Sequence, residues 1–514
     1  MRNGDPGERN APPPSRAARC AGLLWPWAVV VCAGVLLWQT KDYGFQGQDT
    51  YPILRTSRIL SPADFFGTFA EGLQGNNNFY RPFLHFSVAL DYALWGLRPI
   101  GYQLTNVLLF AGCAAAVGLL VRRALGAGSG VAQLVAVGAF LLFPAHFEVL
   151  PVVARRPELL LTQFGLLSIW CQLSPRALAG DRVALLPALF ALLAMGSKDN
   201  GLVVPLLCFV AALVGAPRSG LRPRARRALR AMVPHGVVLA VFWAVRSRVV
   251  EGFSGKRVRG LIEGEAGERG PWEVLAGYPE QIVAVLDRVV RSEPLFAPSA
   301  VTGWLALALA VALVAADVLG RFGTARRASM DGGPGRLAAI AAAWLLVFAL
   351  LYAVRGVMKP WYAFVLAAGW AILLGAVTRH LCRTARHRLP PARAAAGLAL
   401  ALLVTLVGWT ARTSPVVHRY SEWAQRTRAT DAFYGELRGR LEAAAPGATI
   451  EVPPLPAHVR RPRDRPFVSP VRNVTKPAIL AWIELTLPDA PVRLVLSPDV
   501  PEPRPGEILL VYQD

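Results

Sequence analysis

The chain has 514 residues, 54% of them hydrophobic, and a mean hydropathy of +0.40. Its apolar residues come in long runs, which excludes an ordinary soluble domain. The formal charge of +22 suggests nucleic acid, but much of it sits in short loops between apolar runs. That is the positive-inside pattern of membrane proteins, which also serves anionic headgroups, so a nucleic-acid partner is excluded.

About eleven apolar runs read as transmembrane helices. Residues 1–20 are charged and proline-rich and read as a disordered cytoplasmic tail. The run 21–39 lacks a small-residue cleavage site and is expected to be an uncleaved anchor. Residues 40–99 form an outer loop. Within it, 82–97 is apolar but carries His85 and Asp91 and is short for a crossing, so it is expected to lie in the interface. If it crossed, every later arginine loop would move outside. The runs 100–121, 131–150 and 158–173 follow. Then 183–195 and 201–214 flank Gly196, Ser197, Lys198, Asp199 and Asn200 as a tight or partly re-entrant helical hairpin. Further runs are 232–249, 301–319, 337–354, 361–377 and 394–409.

Arginine sets the orientation. Arg122 and Arg123, the cluster Arg218 to Arg230, Arg321 to Arg336 and Arg379 to Arg393 all fall on one side. The N-terminus is therefore expected inside, with loop 250–300 and the tail outside. Residues 21–410 make the transmembrane domain. Residues 411–514 read as a small α/β extracytoplasmic domain. Its helical spacing covers 419–443, its β-branched or alternating runs are 448–452, 492–497 and 508–512, and a helix begins near Pro477. The six cysteines lie in or beside apolar runs without a CxxC pair, so neither a disulfide framework nor a zinc site is indicated. Arginine-dominated basic residues with abundant Ala, Gly and Pro fit a GC-rich bacterial genome. A multi-pass bacterial cell (inner) membrane protein is expected.

The polar residues beside the apolar runs gather on the outer side: Asp49, His146, Glu148, Arg155, Arg156, Lys198, Asp199 and Lys359. All five lysines also fall there. Asp49, ten residues past the first run, can take a proton from a hydroxyl nucleophile; its ordinary alternative is a helix cap. His146, Glu148, Arg155 and Arg156 at one rim can grip a phosphate; the alternative is arginines snorkelling at helix ends. Lys198 and Asp199 lie at membrane depth, where ionisable residues are functional by default; the equal alternative is a Lys–Asp pair that holds the hairpin. Arg355 and Lys359, ahead of Trp361 and Tyr362, add positive charge to the same rim. Tyr80, Arg81, Tyr92, Trp95 and Tyr102 taken alone mark an interface.

Taken in order, these segments resemble the GT-C glycosyltransferases that use polyprenyl-phosphate sugars, in the protein O-mannosyltransferase-like, TMTC-like branch. The resemblance is carried by Asp49, by Phe79-Tyr80-Arg81-Pro82, and by Asp91-Tyr92 with Trp95-Gly96. Gly101-Tyr102 with Leu104-Thr105-Asn106 continues it. Phe143 to Glu148 with Arg155 is similar to the family's His-x-Glu plus Arg pattern. Ser197-Lys198-Asp199 is similar to its Ser-Lys-Glu, and Lys359 to Tyr362 loosely to its Arg-Tyr-x-Tyr. Where the family has two adjacent acids in the first loop, this chain has Gln48-Asp49.

The resemblance implies an inverting transfer of a hexosyl or pentosyl unit from a polyprenyl-phosphate donor, on the outer face, to a hydroxyl of a protein, glycan or lipid. Asp49 would be the base. His146, Arg155, Arg156, Lys198 and Lys359 would hold the donor phosphate, and Gln48, Tyr80, Arg81, Glu148, Asp199 and Tyr362 would position substrate. A divalent cation is compatible with this set but not demanded by it, and no other cofactor is expected. Two rival readings are a lipid-linked sugar flippase, which needs polar groups deep in the spans, and a non-catalytic relative with a partner role.

Overall fold

The computed structural model describes residues 29–31, 33–34, 43–70, 72, 79–126, 129–143, 146, 149–179, 185–216, 220–250, 333–354, 360–385, 420–453, 474–496 and 507–512. The expected tail 1–20, most of the run 21–39, loop 251–300 and the runs 301–319 and 394–409 lie outside the described residues. So do Glu148, Arg355 and Lys359.

Among the described residues the first loop holds three short helices: α1 (Thr50–Thr56), α2 (Pro62–Ala70) and α3 (Pro82–Trp95). A reciprocal capping box starts α2. The Asp64 carboxylate accepts the backbone N–H groups of Leu60 (2.8 Å) and Ser61 (2.7 Å), and Ser61 Oγ accepts the N–H of Asp64. These bonds hold the Asp64 carboxyl below its ordinary range. Helix α3 buries Leu84, His85, Val88 and Asp91 and exposes Phe86, Leu90 and Leu94. At 1.5 Å per residue it is about 21 Å long, short of a hydrocarbon core of about 30 Å. Its outward apolar row suits a helix lying at the interface.

Helix α4 (Pro99–Leu125) begins with proline at its first turn and ends at Gly126, where φ of 77° favours glycine. Then come α5 (Gly130–Leu141), α6 (Arg156–Gln172), α7 (Leu185–Ser197), α8 (Val204–Gly215), α9 (Leu221–Ala231) and α10 (Val233–Val249). Beyond residue 332 come α11 (Gly333–Val354) and α12 (Ala363–Ala385).

Among the described residues, α4, α11 and α12 are long and apolar enough to cross a membrane. Helices α9 and α10, bent by 44°, pass together, and Gly130–Leu141, Leu185–Ser197 and Asp199–Gly215 are shorter apolar helices. The expected run 131–150 is not one helix. The helix stops at Leu141 and is capped at Leu142, and the described residues 149–152 that follow are not helical. Outward-facing rows at helical spacing (Leu104 and Leu108; Val233, Val237, Val241 and Val245; Leu346 and Leu350) are exposed and apolar. Such rows suit lipid rather than water, and the chain is a multi-pass membrane protein.

The main core joins α4, α5, α6, α8, α11 and α12 around fully buried Trp344, whose indole N–H donates to the Val365 carbonyl at 2.7 Å. The C-terminal part adds α13 (Tyr420–Glu442), β1 (Thr449–Glu451), α14 (Lys476–Thr486), β2 (Val492–Leu496) and β3 (Ile508–Tyr512). The strands form a parallel sheet in the order β1–β3–β2, with Thr449 opposite Leu509 and Val492 opposite Ile508. Phe433, Leu437, Ile479 and Trp482 of the two helices close over Leu494 and Leu510.

Candidate active site

The hairpin predicted around Lys198 is present, and its geometry decides the partners. Helix α7 ends at Ser197, Lys198 is extended (φ −159°, ψ 141°), and a 3-10 turn covers Asp199–Val203. A Cβ on Gly201 would lie 2.3 Å from the Ala194 carbonyl oxygen, so the chain folds back closely only with glycine here. Lys198 and Asp199 therefore face different neighbours. The Lys198 ammonium pairs with the Glu158 carboxylate, and both side chains are only 4% exposed. Asp199 instead lies 3.3 Å from Arg81 and 3.8 Å from Arg246.

Aromatic faces wall these cations. Lys198 Nζ is 4.8 Å from the Tyr362 ring and 5.9 Å from that of Tyr352, and the two rings stack at 4.4 Å. Arg155 lies 4.0 Å over Trp361. Arg81 lies over Phe79 and Arg246 over Trp243. Such contacts favour a guanidinium or ammonium without neutralising it. Trp361 and Tyr362 are consecutive, so one 3-10 turn brings Arg155 and Lys198 to neighbouring positions. Lys198 faces the Glu158 carboxylate, and Arg81 and Arg246 face that of Asp199.

Arg156 departs from the expected phosphate ligand. It is fully buried, and all five of its N–H donors are engaged within the fold. Nε donates to Asn106 (2.7 Å), Nη1 to the Ser87 hydroxyl and carbonyl, and Nη2 to Asp91 (2.5 Å) and the Tyr102 carbonyl. Thr105 donates to the other Asp91 oxygen at 2.6 Å. This knot ties α3, α4 and α6 together and leaves no donor for a ligand.

His146, expected to be open to a phosphate, is buried. It sits among Phe110, Phe140, Phe143 and Phe364, with ring centroids 4.3 to 6.3 Å away, and its Nε2–H donates to the Phe140 carbonyl. Tyr80 is held by its hydroxyl donating to the Phe69 carbonyl at 2.8 Å.

Asp49 and Gln48 stand exposed on a turn at the start of α1. Gly47 adopts φ of 92° there, and its carbonyl accepts the Thr50 N–H at 3.0 Å. The Asp49 side chain makes no capping hydrogen bond to α1, so the helix-cap alternative is not realised. Ile53 of α1 shares an apolar cluster with Val153, and α1 touches the 3-10 turn Val153–Arg155. The Asp49 and Arg155 segments therefore meet. Among the described residues no group of three His, Cys, Asp or Glu could hold a metal ion.

Sequence reasoning missed Glu158 as the partner of Lys198, and it missed Arg246 and Trp361. The signal was available for the first two. Each is a charge inside or at the end of an apolar run, where an unpaired charge is costly.

No family model matches the chain. Mouse (Mus musculus) protein O-mannosyl-transferase TMTC2 is 36% identical over 110 residues, covering 21% of this chain and 13% of that protein. Protein O-mannosyl-transferase Tmtc1 of Drosophila melanogaster is 30% identical over 187 residues, covering 34% of this chain and 21% of that protein. The chain thus matches well under two thirds of the length of these curated relatives. Among solved structures, ArnT from Cupriavidus metallidurans bound to undecaprenyl phosphate is similar at 16% identity and a TM-score of 0.42, over 84% of this chain and 82% of that one. Archaeoglobus fulgidus AglB, an archaeal oligosaccharyltransferase in complex with an inhibitory peptide and a dolichol-phosphate, is similar at 12% identity and a TM-score of 0.42. That match covers 90% of this chain and 63% of that one.

Proposed function

We propose that this chain, a mannosyltransferase-like protein of the GT-C superfamily, transfers a sugar from a polyprenyl-phosphate donor to an acceptor hydroxyl on the outer face of the membrane. The observation that carries this reading is the meeting of Arg155 and Lys198 on the consecutive aromatics Trp361 and Tyr362. Two cations held at one end of the helix bundle suit a phosphate whose lipid tail lies among the helices. The names of the sequence relatives support mannose as the sugar and a protein hydroxyl as the acceptor.

In the step proposed, the acceptor oxygen attacks the anomeric carbon, the carbon–oxygen bond to phosphate breaks, and the hydroxyl proton passes to Asp49. Attack opposite the leaving group inverts the anomeric centre. The donor phosphodiester carries one negative charge, and the departing polyprenyl phosphate gains a second. Arg155 and Lys198, with Arg81 and Lys359 as further donors, would meet that charge as it develops. Asp199 and Glu158 hold the cations in place, and Tyr362 walls the ammonium.

The test is transfer of labelled mannose from undecaprenyl-phosphate mannose by the purified protein, with a membrane fraction and a Ser/Thr-rich peptide as acceptors. Labelled acceptor with matching loss of donor is expected. Donor that binds but is never consumed with any acceptor would overturn the enzymatic reading.

A further inference from the structure

The Asp49 turn is not held by the membrane helices alone. Gln46, fully buried, donates from Nε2 to the Thr427 hydroxyl of α13 at 2.8 Å, while its carbonyl accepts the Thr50 hydroxyl. The Tyr51 ring meets Tyr434 of α13 edge-on at 5.2 Å, and Tyr434 stacks on Trp482 of α14 at 4.9 Å. Burial, with Asp431 nearby, pushes the Tyr51 phenol up, so it stays neutral in this ladder. A Cβ on Gly44 would lie 2.6 Å from Asp431 Oδ1, a mark of close approach. Arg55 and Glu484 add an exposed ion pair at 2.8 Å. On its other side the turn rests through Phe45 on Tyr102, with ring centroids 5.2 Å apart. Residues 44–55 are thus gripped between the start of α4 and the C-terminal α/β part.

We propose that the C-terminal α/β part is the positioning element of the Asp49 turn, acting through Thr427 and Tyr434. This rests on the reading of Asp49 as the base. Within the turn the Gly47 carbonyl accepts the Thr50 N–H and the Gln46 carbonyl accepts the Thr50 hydroxyl, while the Asp49 side chain makes no hydrogen bond that caps α1. A base displaced by about 1 Å loses on the order of 100-fold in rate. An anchor that fixes the turn therefore governs turnover rather than donor affinity, because it holds the segment of the base while Arg155 and Lys198 meet the donor phosphate.

The test compares full-length Thr427→Val, Tyr434→Ala and Tyr434→Phe in detergent. Thr427→Val removes one hydrogen bond and keeps the shape; Tyr434→Phe keeps the ring. Backbone amide exchange over residues 45–57 and transfer from undecaprenyl-phosphate mannose are both followed. Thr427→Val and Tyr434→Ala should quicken exchange and lower kcat by about 10–100-fold, with the donor KM unchanged and Tyr434→Phe like the wild type. Should Tyr434→Ala fail to fold, Thr427→Val decides. Unchanged exchange, or quickened exchange with unchanged kcat, overturns the proposal. The exchange readout needs no activity. A wild type without transfer would therefore remove the functional reading, while exchange would still decide whether the anchor holds the turn.

Discussion

Lys198 and Glu158, forty residues apart on α6 and the hairpin after α7, meet as an ion pair with each side chain 4% exposed. The pair sits against Tyr352 and Tyr362, so water reaches neither charge readily. Burial makes the two residues interdependent. A buried charge that loses its partner is destabilising, whereas loss of both charges together can be nearly neutral.

Glu158→Gln should accordingly lower stability by about 3–5 kcal/mol, and Lys198→Met alone by a similar amount. The double variant should regain much of the loss. Thermal unfolding of the purified proteins checks this, and strictly additive losses would contradict a direct pair.

Arg155 and Arg156 are adjacent but should behave oppositely. Arg156→Ala leaves Asp91 buried without its cation and should cost about 3–5 kcal/mol, so protein yield and melting temperature should fall. Arg155→Ala should lower melting less than Arg156→Ala, raise the donor KM and lower kcat/KM, because the phosphate is charged in both ground and transition states. Equal effects of the two on melting would contradict the division of roles.

The orientation can be read by cysteine labelling in intact cells. Asp489→Cys, on the exposed end of the C-terminal part, should react with an impermeant reagent. Arg226→Cys, on exposed α9, should be protected. The reverse pattern would place the arginine loops outside.

Much of the architecture was legible because it follows from one-dimensional signals. Apolar runs gave α4, α6, α8 and α10, and β-branched runs gave β2 and β3. Span lengths were less legible. The run 131–150 is mostly apolar, yet its helix stops at Leu141. Partner choice was legible least. Lys198 and Asp199 are neighbours in sequence, and only the extended backbone at Lys198 sends one to Glu158 and the other to Arg81. His146 and Arg156 match a phosphate-gripping pattern by spacing, but burial follows from tertiary packing. One is boxed by four phenylalanines and the other is saturated by Asp91, Asn106, Ser87 and Tyr102.

The reading turns on Asp49, and one comparison tests it most directly: transfer of labelled mannose from undecaprenyl-phosphate mannose by the wild type and by Asp49→Asn, with donor binding measured on both. The amide is nearly isosteric with the carboxylate and the side chain is exposed on its turn, so folding should be unchanged. Loss of a general base costs about 10²–10⁴ in rate. Transfer should fall by that factor while the donor still binds. Wild-type rates from Asp49→Asn, with the protein folded and donor bound, would contradict its role as the base.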